Sequence, residues 1–143
     1  VNKAVREFKR QSGERVEVWI LQEQPVYIIV NPLEFELVII NLLRNAAQAL
    51  QELGVLNSKV ALTIKREDNK ALIAIEDNGH IEKEKIEKLS EPTNSTKADG
   101  LGLGLQIVRS IIENHGGKIF FSRAASGGLR VEIRLPAEET TEQ

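Results

Sequence analysis

The sequence predicts an α+β fold, a two-layer sandwich in which about three helices cover one face of a mixed sheet. Six short segments alternate apolar and polar residues, which is the period of a strand with one buried face. Three longer segments carry apolar residues at helical spacing and can cover that face. A chain of 143 residues with 41% hydrophobic residues is long enough to bury one core without disulfides.

The first half of the chain is predicted to hold a helix at 1–11, strands at 14–21 and 26–31, and a helix from Pro32 to about Glu52. In the first strand, Val16, Val18 and Ile20 share one face. Asn31 before Pro32 is typical of a helix start, and Gly54 is typical of a helix end.

The second half is predicted to hold strands at 59–65, 70–77, 118–122 and 129–135, a helical turn or two at 82–89, and a helix from Leu105. Gly116 and Gly117 can end that helix in a left-handed cap. Residues 78–103 are otherwise irregular and polar, and loops of that length are usually functional or disordered. Residues 1–136 therefore form one domain, and the acidic tail at 137–143 is expected to fray.

The composition excludes several classes of function. A net charge of −2 and a pI near 5.8 argue against a nucleic-acid surface. The chain has no cysteine, and its two isolated histidines make no metal cluster. Neither a membrane-length apolar run nor a signal peptide is visible, so we expect a cytoplasmic location. The start at Val1 suggests a fragment of a longer protein.

A narrow polar stripe interrupts the apolar long helix. Its four members lie on one helical face at i, i+4, i+7 and i+11, and they are Asn41, Asn45, Gln48 and Glu52. Taken alone, the stripe is typical of a solvent-exposed face. Alternatively, the two asparagines line a polar pocket.

Asp77 ends the alternating segment IAIEDNGH at residues 73–80. Asp-Asn-Gly is a common turn sequence, and that interpretation is sufficient by itself. A carboxylate at the end of a buried strand can also accept a hydrogen bond from an exocyclic amine.

Three glycines, Gly100, Gly102 and Gly104, precede the last helix. Glycines ahead of a helix let the backbone surround an anion, and the helix N-terminus favours negative charge, so a phosphate is the expected ligand. The spacing fits neither a dinucleotide fingerprint nor a Walker A loop.

In combination, these motifs resemble the ATP-binding catalytic domain of two-component sensor histidine kinases, of the GHKL superfamily. NLLRNAAQAL is similar to the N box, EDNG to the G1 box, and GLGLGLQIVRSIIENHGGKI to the G2 box with its helix. EPTNSTK stands at the F box and keeps the Ser-Thr-Lys of nitrogen-regulator-type kinases. The resemblance covers about residues 1–136 and implies a Bergerat fold with an ATP lid at about 79–102.

The resemblance implies Mg²⁺ and ATP as ligands. Asn45 would bind the metal, Asn41 the phosphates or the metal's waters, and Lys97 the γ-phosphate, which makes these three the candidate catalytic residues. Asp77 would accept the adenine N6 hydrogen bond. The other implied nucleotide contacts are Gly79, Ser95, Thr96, Gly100, Gly102, Gly104 and the Leu105 amide. An ordinary solvated lysine is the alternative for Lys97.

Two departures from the family pattern fall in the lid. The G1 box is one residue short and lacks its second glycine, and the F box carries Ser90, Thr93 and Asn94 where phenylalanines are common. With little apolar surface to offset the ordering entropy, residues 91–100 are expected to order only with Mg-ATP or another contact.

Related ATPases carry a glutamate as general base where this chain has Asn41, which favours phosphoryl transfer over hydrolysis. Neither His80 nor His115 resembles a phosphoacceptor, so the implied partners are an upstream dimerisation and phosphoacceptor domain and a response regulator. Contact with nucleic acid or membrane is not expected, and the isolated domain should be monomeric. The alternatives are an anti-sigma-factor-type serine kinase and a nucleotide-sensing binding module with a degenerate lid.

Overall fold

The computed structural model describes residues 1–12, 16–91 and 102–138. In these ranges the elements are α1 (Asn2–Ser12), β1 (Glu17–Gln22), α2 (Pro32–Leu53), β2 (Lys59–Glu67), β3 (Lys70–Asp77), α3 (Lys83–Ser90), α4 (Gly102–Asn114), β4 (Lys118–Arg123) and β5 (Leu129–Pro136). The strands form one sheet in the order β1-β2-β3-β5-β4, with β1 parallel to β2 and the other neighbours antiparallel. The predicted α+β class and mixed sheet are confirmed.

The core lies between one face of the sheet and the helices. Strand register aligns apolar side chains in rows across the sheet, such as Leu62, Ile75 and Val131. These rows join buried side chains of α1, α2 and α4 in one apolar cluster. Burying such surface is the main favourable contribution to folding, and here it also fixes the position of α2 over β3.

Charged side chains line the opposite face of the sheet. Arg130 of β5 pairs with Glu76 of β3 and, at 2.9 Å, with Glu132. Arg134 bonds Glu132 at 2.7 Å, and its guanidinium lies 5.7 Å from the centre of the Phe120 ring. The alternation predicted for 129–135, with arginines and glutamate away from the core, is therefore confirmed.

The ends of the two longest helices follow the predicted signals. The Asn31 side chain accepts a hydrogen bond from the Glu34 N–H at 3.0 Å, and Gly54 ends α2 with a φ of 70°. After α4, Gly116 has a φ of 76° and the Gly117 N–H bonds the Ile112 carbonyl at 2.9 Å. The expected left-handed cap is present.

The predicted strand at 26–31 is wrong. Val26, Ile28 and Val30 are half-buried against the core and alternate with exposed Tyr27 and Ile29, so the period is real. The backbone nevertheless forms no strand and lies outside the sheet order β1-β2-β3-β5-β4. An alternating pattern reports which side chains face the core, not which backbones pair. Among the described residues the sheet therefore has five strands instead of six.

Three further features differ from the prediction. Ile20 is 37% exposed, because β1 is an edge strand and the core reaches Val16 and Val18 only. The segment at 82–89 forms a complete helix, α3, so that the described part of the chain holds four helices instead of about three. Helix α4 begins at Gly102 instead of Leu105, since the first N–H groups of a helix need no partner within it and glycines can stand there.

No helix in the described part of the chain is long and apolar enough to cross a membrane.

Candidate functional site

A cleft of about 390 Å³ opens between α2, the ends of β3 and β5, and the start of α4. Its walls are largely apolar, with side chains from all of these elements: Leu42, Ala46, Ala49, Leu53, Ile75, Ile81, Leu105, Leu129 and Val131. The polar residues that line it are Asn45, Glu52, Asp77, His80, Glu82 and Lys85. An apolar cleft with a few placed polar groups is typical of a small-molecule site.

Asp77 is the one polar or charged residue that is buried among the described residues, with 6% of its surface exposed. Its Oδ1 accepts hydrogen bonds from the Gly79 N–H at 2.9 Å and from the Leu129 N–H at 3.4 Å. Burial raises the pKa of this carboxyl above its usual value, and the two backbone bonds oppose the rise. Neither bond uses Oδ2, so the carboxylate keeps an acceptor for a ligand in the cleft.

The two residues after Asp77 have separate structural roles. A methyl group added at Gly79 would lie 3.0 Å from Leu53 Cδ1 and 3.1 Å from Asp77 Oδ1, so a side chain there would crowd the carboxylate. The Asn78 side chain bonds the Lys59 N–H at 2.8 Å and the Asn57 carbonyl at 2.7 Å. Asn78 therefore holds the end of the β2–β3 pair, whereas Gly79 leaves room for Asp77.

Asn41 and Asn45 of α2 converge on the first turn of α4. A methyl group added at Gly104 would lie 3.7 Å from Asn41 Oδ1 and 3.8 Å from Asn45 Oδ1. The first four N–H groups of α4, which belong to residues 102–105, lack partners within the helix. Two amides and a helix N-terminus thus meet at one end of the cleft.

The Asn45 side chain carries an unpaired buried atom. Its Nδ2 has no hydrogen-bond partner, and no other buried side-chain nitrogen or oxygen of the described residues shares this condition. An unsatisfied buried polar group costs about 1–3 kcal/mol, and such groups are rare in folded proteins. A polar ligand beside Asn45 would offset this cost.

The rest of the polar stripe is in solvent. Gln48 donates to Glu52 at 3.3 Å, and both side chains are exposed, although Glu52 lies at the rim of the cleft. The solvent-face interpretation therefore applies to Gln48, and the pocket interpretation fits the position of Asn41 and Asn45.

Both histidines have polar partners. The His115 Nδ1 must donate to the Ile111 carbonyl at 2.7 Å, and its Nε2 accepts from the Asn31 N–H at 3.2 Å. Both ring nitrogens are engaged by backbone, so His115 joins the end of α4 to the start of α2. His80 is exposed and contacts Glu82 at 2.9 Å.

Several predicted site residues lie outside the described ranges. These are Ser95, Thr96, Lys97 and Gly100, together with most of the segment 91–100 for which ligand-dependent order is expected. Of the predicted lid at about 79–102, the described parts are its first residues, α3 and Gly102.

The turn that connects β4 and β5, residues 124–128, contacts Asp77, although none of its residues was predicted as a site residue. Nothing in the sequence indicates that this turn contacts Asp77. The contact depends on the register between β3 and β5, which places Glu76 opposite Arg130 and so brings Asp77 against Gly128.

Residues 30–139 match the family described as histidine kinase-, DNA gyrase B-, and HSP90-like ATPase. The chain belongs to this family. The match includes α2, the cleft and strands β2 to β5. It agrees with the resemblance drawn from the N, G1 and G2 boxes.

Proteins with similar sequences include a sensor protein and a sporulation kinase. The chain is 38% identical over 109 residues to sensor protein TdiS of Thauera aromatica, which covers 73% of this chain and 20% of that protein. It is 38% identical over 101 residues to sporulation kinase B of Bacillus subtilis, covering 70% of this chain and 23% of the kinase. The chain thus spans about a fifth of the length of these relatives.

Solved structures of histidine kinases share the fold. The catalytic domain of histidine kinase ThkA superposes with a TM-score of 0.74 at 28% identity, covering 95% of this chain and 91% of that domain. The mycobacterial sensor histidine kinase MprB superposes with a TM-score of 0.77 at 21% identity, covering 97% and 94% of the two chains. The latter likeness concerns the fold alone.

Proposed function

We propose that this chain is the ATP-binding catalytic domain of a sensor histidine kinase and that it donates the γ-phosphate of Mg-ATP to a histidine of a separate acceptor domain. The observation that carries the proposal is the arrangement of the cleft. A buried carboxylate lies among apolar walls, and two asparagines meet a glycine-containing helix N-terminus. Adenine suits the apolar part, and a triphosphate suits the amides and helix N-terminus.

In this proposal the nucleotide spans the cleft. Asp77 accepts the adenine N6 hydrogen, and Gly79 leaves space beside it. Asn41 and the backbone of Gly102, Gly104 and Leu105 approach the phosphates. Ser95, Thr96, Lys97 and Gly100 would complete the phosphate contacts from the lid.

The residues present fit a magnesium ion that arrives with the nucleotide. No group of three or more His, Asp or Glu side chains within the described ranges could hold a metal alone. Magnesium, however, takes one or two protein oxygens beside substrate phosphates and waters, and the Asn45 amide oxygen lies where those phosphates would be. Bound there, the ion would neutralise phosphate charge.

Phosphoryl transfer suits this site better than hydrolysis does. A histidine nitrogen attacks the γ-phosphorus, the bond to the ADP oxygen breaks, and ADP leaves without any need to deprotonate water. Efficient hydrolysis requires a base for water. The Asn41 side chain, placed beside the phosphate end of the cleft, is an amide and cannot accept that proton.

The partners in this proposal are ATP, a dimerisation domain that carries the acceptor histidine, and a response regulator that receives the phosphate. The domain works in the cytoplasm, where Mg-ATP is available, and is monomeric alone. The sensor kinases among its relatives favour this function over an anti-sigma-factor-type serine kinase or a pure nucleotide-sensing module.

The isolated chain is expected to bind Mg-ATP without phosphorylating itself. His115 is engaged at both ring nitrogens, and His80 lies in an exposed loop instead of on an acceptor helix. Incubation with γ-labelled ATP should leave the chain unlabelled, and an added acceptor domain of a related sensor kinase should become labelled on histidine. Label retained on a histidine of this chain would contradict the proposal.

Asn41→Glu is expected to introduce slow ATP hydrolysis, because a carboxylate beside the phosphates can act as a general base. Phosphate release measured over hours should exceed that of the unmodified domain and of Asn41→Gln, which has the same length but no base. Substantial hydrolysis by the unmodified domain would refute the argument from Asn41.

A further inference from the structure

The turn between β4 and β5, residues 124–128, lies directly against the Asp77 carboxylate. A methyl group added at Gly128 would overlap both the main-chain carbonyl oxygen and Oδ1 of Asp77. The Leu129 N–H donates to the same Oδ1, and the Ser126 hydroxyl donates to the Asp77 carbonyl at 3.0 Å. Asp77 therefore has contacts from this turn on both its side chain and its main chain.

The same turn holds the first residues of the lid. The Ile81 N–H donates to the Gly127 carbonyl at 3.1 Å, and Arg123, at the end of β4, donates to the Ile81 carbonyl at 3.0 Å. Gly127 adopts a φ of 100°, which favours glycine. The base end of the cleft and the beginning of the lid are thus fixed by one short segment.

We propose that the β4–β5 turn is the positioning element of base recognition, in which Gly128 and Ser126 hold the Asp77 carboxylate at the depth and angle needed to distinguish adenine from guanine. This inference rests on the proposed function. Gly128 has no side chain, and this lets the turn approach Asp77. The Ser126 hydroxyl holds Asp77 by a hydrogen bond to the Asp77 carbonyl. Neither residue itself contacts the nucleotide in this proposal.

The test measures the dissociation constants of Mg-ATP and Mg-GTP by calorimetry in Gly128→Ala and Ser126→Ala. In Gly128→Ala the displaced Asp77 carboxylate should lose its hydrogen bond to the adenine amine, so the ratio of ATP affinity to GTP affinity should fall by about tenfold. Ser126→Ala, which removes one neutral bond, should lower it about threefold. GTP affinity should hardly change in either variant. If the turn had only a structural role, the binding of both nucleotides would weaken equally and the ratio of their affinities would stay unchanged.

Two control variants separate positioning from stability. Gly116→Ala strains a positive φ far from Asp77, with the added methyl 3.7 Å from Pro136, so it should lower the melting temperature without changing the nucleotide ratio. Ser122→Ala alters an exposed serine of β4 and should change neither quantity. If Gly128→Ala fails to fold, Ser126→Ala carries the test alone.

The outcomes distinguish this inference from the proposed function. If the unmodified domain binds ATP and GTP equally, base recognition by Asp77 is wrong. If the unmodified domain prefers ATP and both turn variants keep that preference in full, the positioning role is overturned and the proposed function stands.

Discussion

Asp77→Asn is expected to reverse the preference of the domain from ATP to GTP. Two backbone N–H groups, of Gly79 and Leu129, donate to Oδ1, so that position must remain an oxygen. The amide nitrogen of asparagine is then forced into the place of Oδ2. There it presents a donor to the adenine amine, which is also a donor, and a matching donor to the guanine carbonyl oxygen.

The expected loss of ATP affinity is about 10- to 100-fold, which corresponds to roughly 1–3 kcal/mol for a lost buried hydrogen bond to a charged group. The fold should survive, because burial already disfavours the ionised carboxylate and raises its pKa. Calorimetry with Mg-ATP and Mg-GTP measures both affinities.

Asp77→Ala and Glu76→Gln are the controls. The alanine side chain can neither donate nor accept a hydrogen bond, so Asp77→Ala should lose the preference for ATP over GTP without reversing it. Glu76 is the preceding residue but pairs with Arg130 on the other face of the sheet, and its glutamine variant should keep full selectivity. Equal affinity of the unmodified domain for the two nucleotides would mean that Asp77 is only a turn residue.

Most helices and strands could be predicted from the sequence because their positions depend on interactions between residues close together in the chain. Asn31, Gly54 and Gly116 act within one helical turn, and their effects on the helix ends are present. The spacing of Asn41 and Asn45 likewise determines that they share a helical face. Which face meets the cleft was decided by packing against α4, and the sequence alone left both interpretations open.

The remaining features depend on contacts between distant segments. Residues 26–30 alternate as a strand does, but whether a segment joins a sheet depends on a partner strand elsewhere in the chain, and this segment forms no strand. The exposure of Ile20 follows from its place at the sheet edge. The approach of Gly128 to Asp77 is set by the register between β3 and β5, which joins Asp77 to Leu129, 52 residues later, and two glycines in a turn do not predict that register.

Asn45→Ala is expected to remove the dependence of tight ATP binding on magnesium. The side chain offers one neutral oxygen at the point where Asn41 and the first turn of α4 converge, and no cluster of acidic or histidine ligands in the described chain can replace it. Affinity in magnesium should fall by about 100-fold, or ~2.7 kcal/mol, to the level measured in EDTA. Titrations with and without the metal give the difference directly.

The stability of this variant makes the test sharp. Because Asn45 Nδ2 is buried without a hydrogen-bond partner, its removal relieves an unsatisfied group, and the melting temperature of the ligand-free domain should stay unchanged or rise. A loss of binding then cannot be attributed to unfolding. Gln48→Ala removes the next amide of the same stripe, which is exposed, and should leave magnesium-dependent binding intact. If Asn45→Ala instead binds Mg-ATP as tightly as the unmodified domain, Asn45 is not a metal ligand, and its buried amide is a cost of packing against α4.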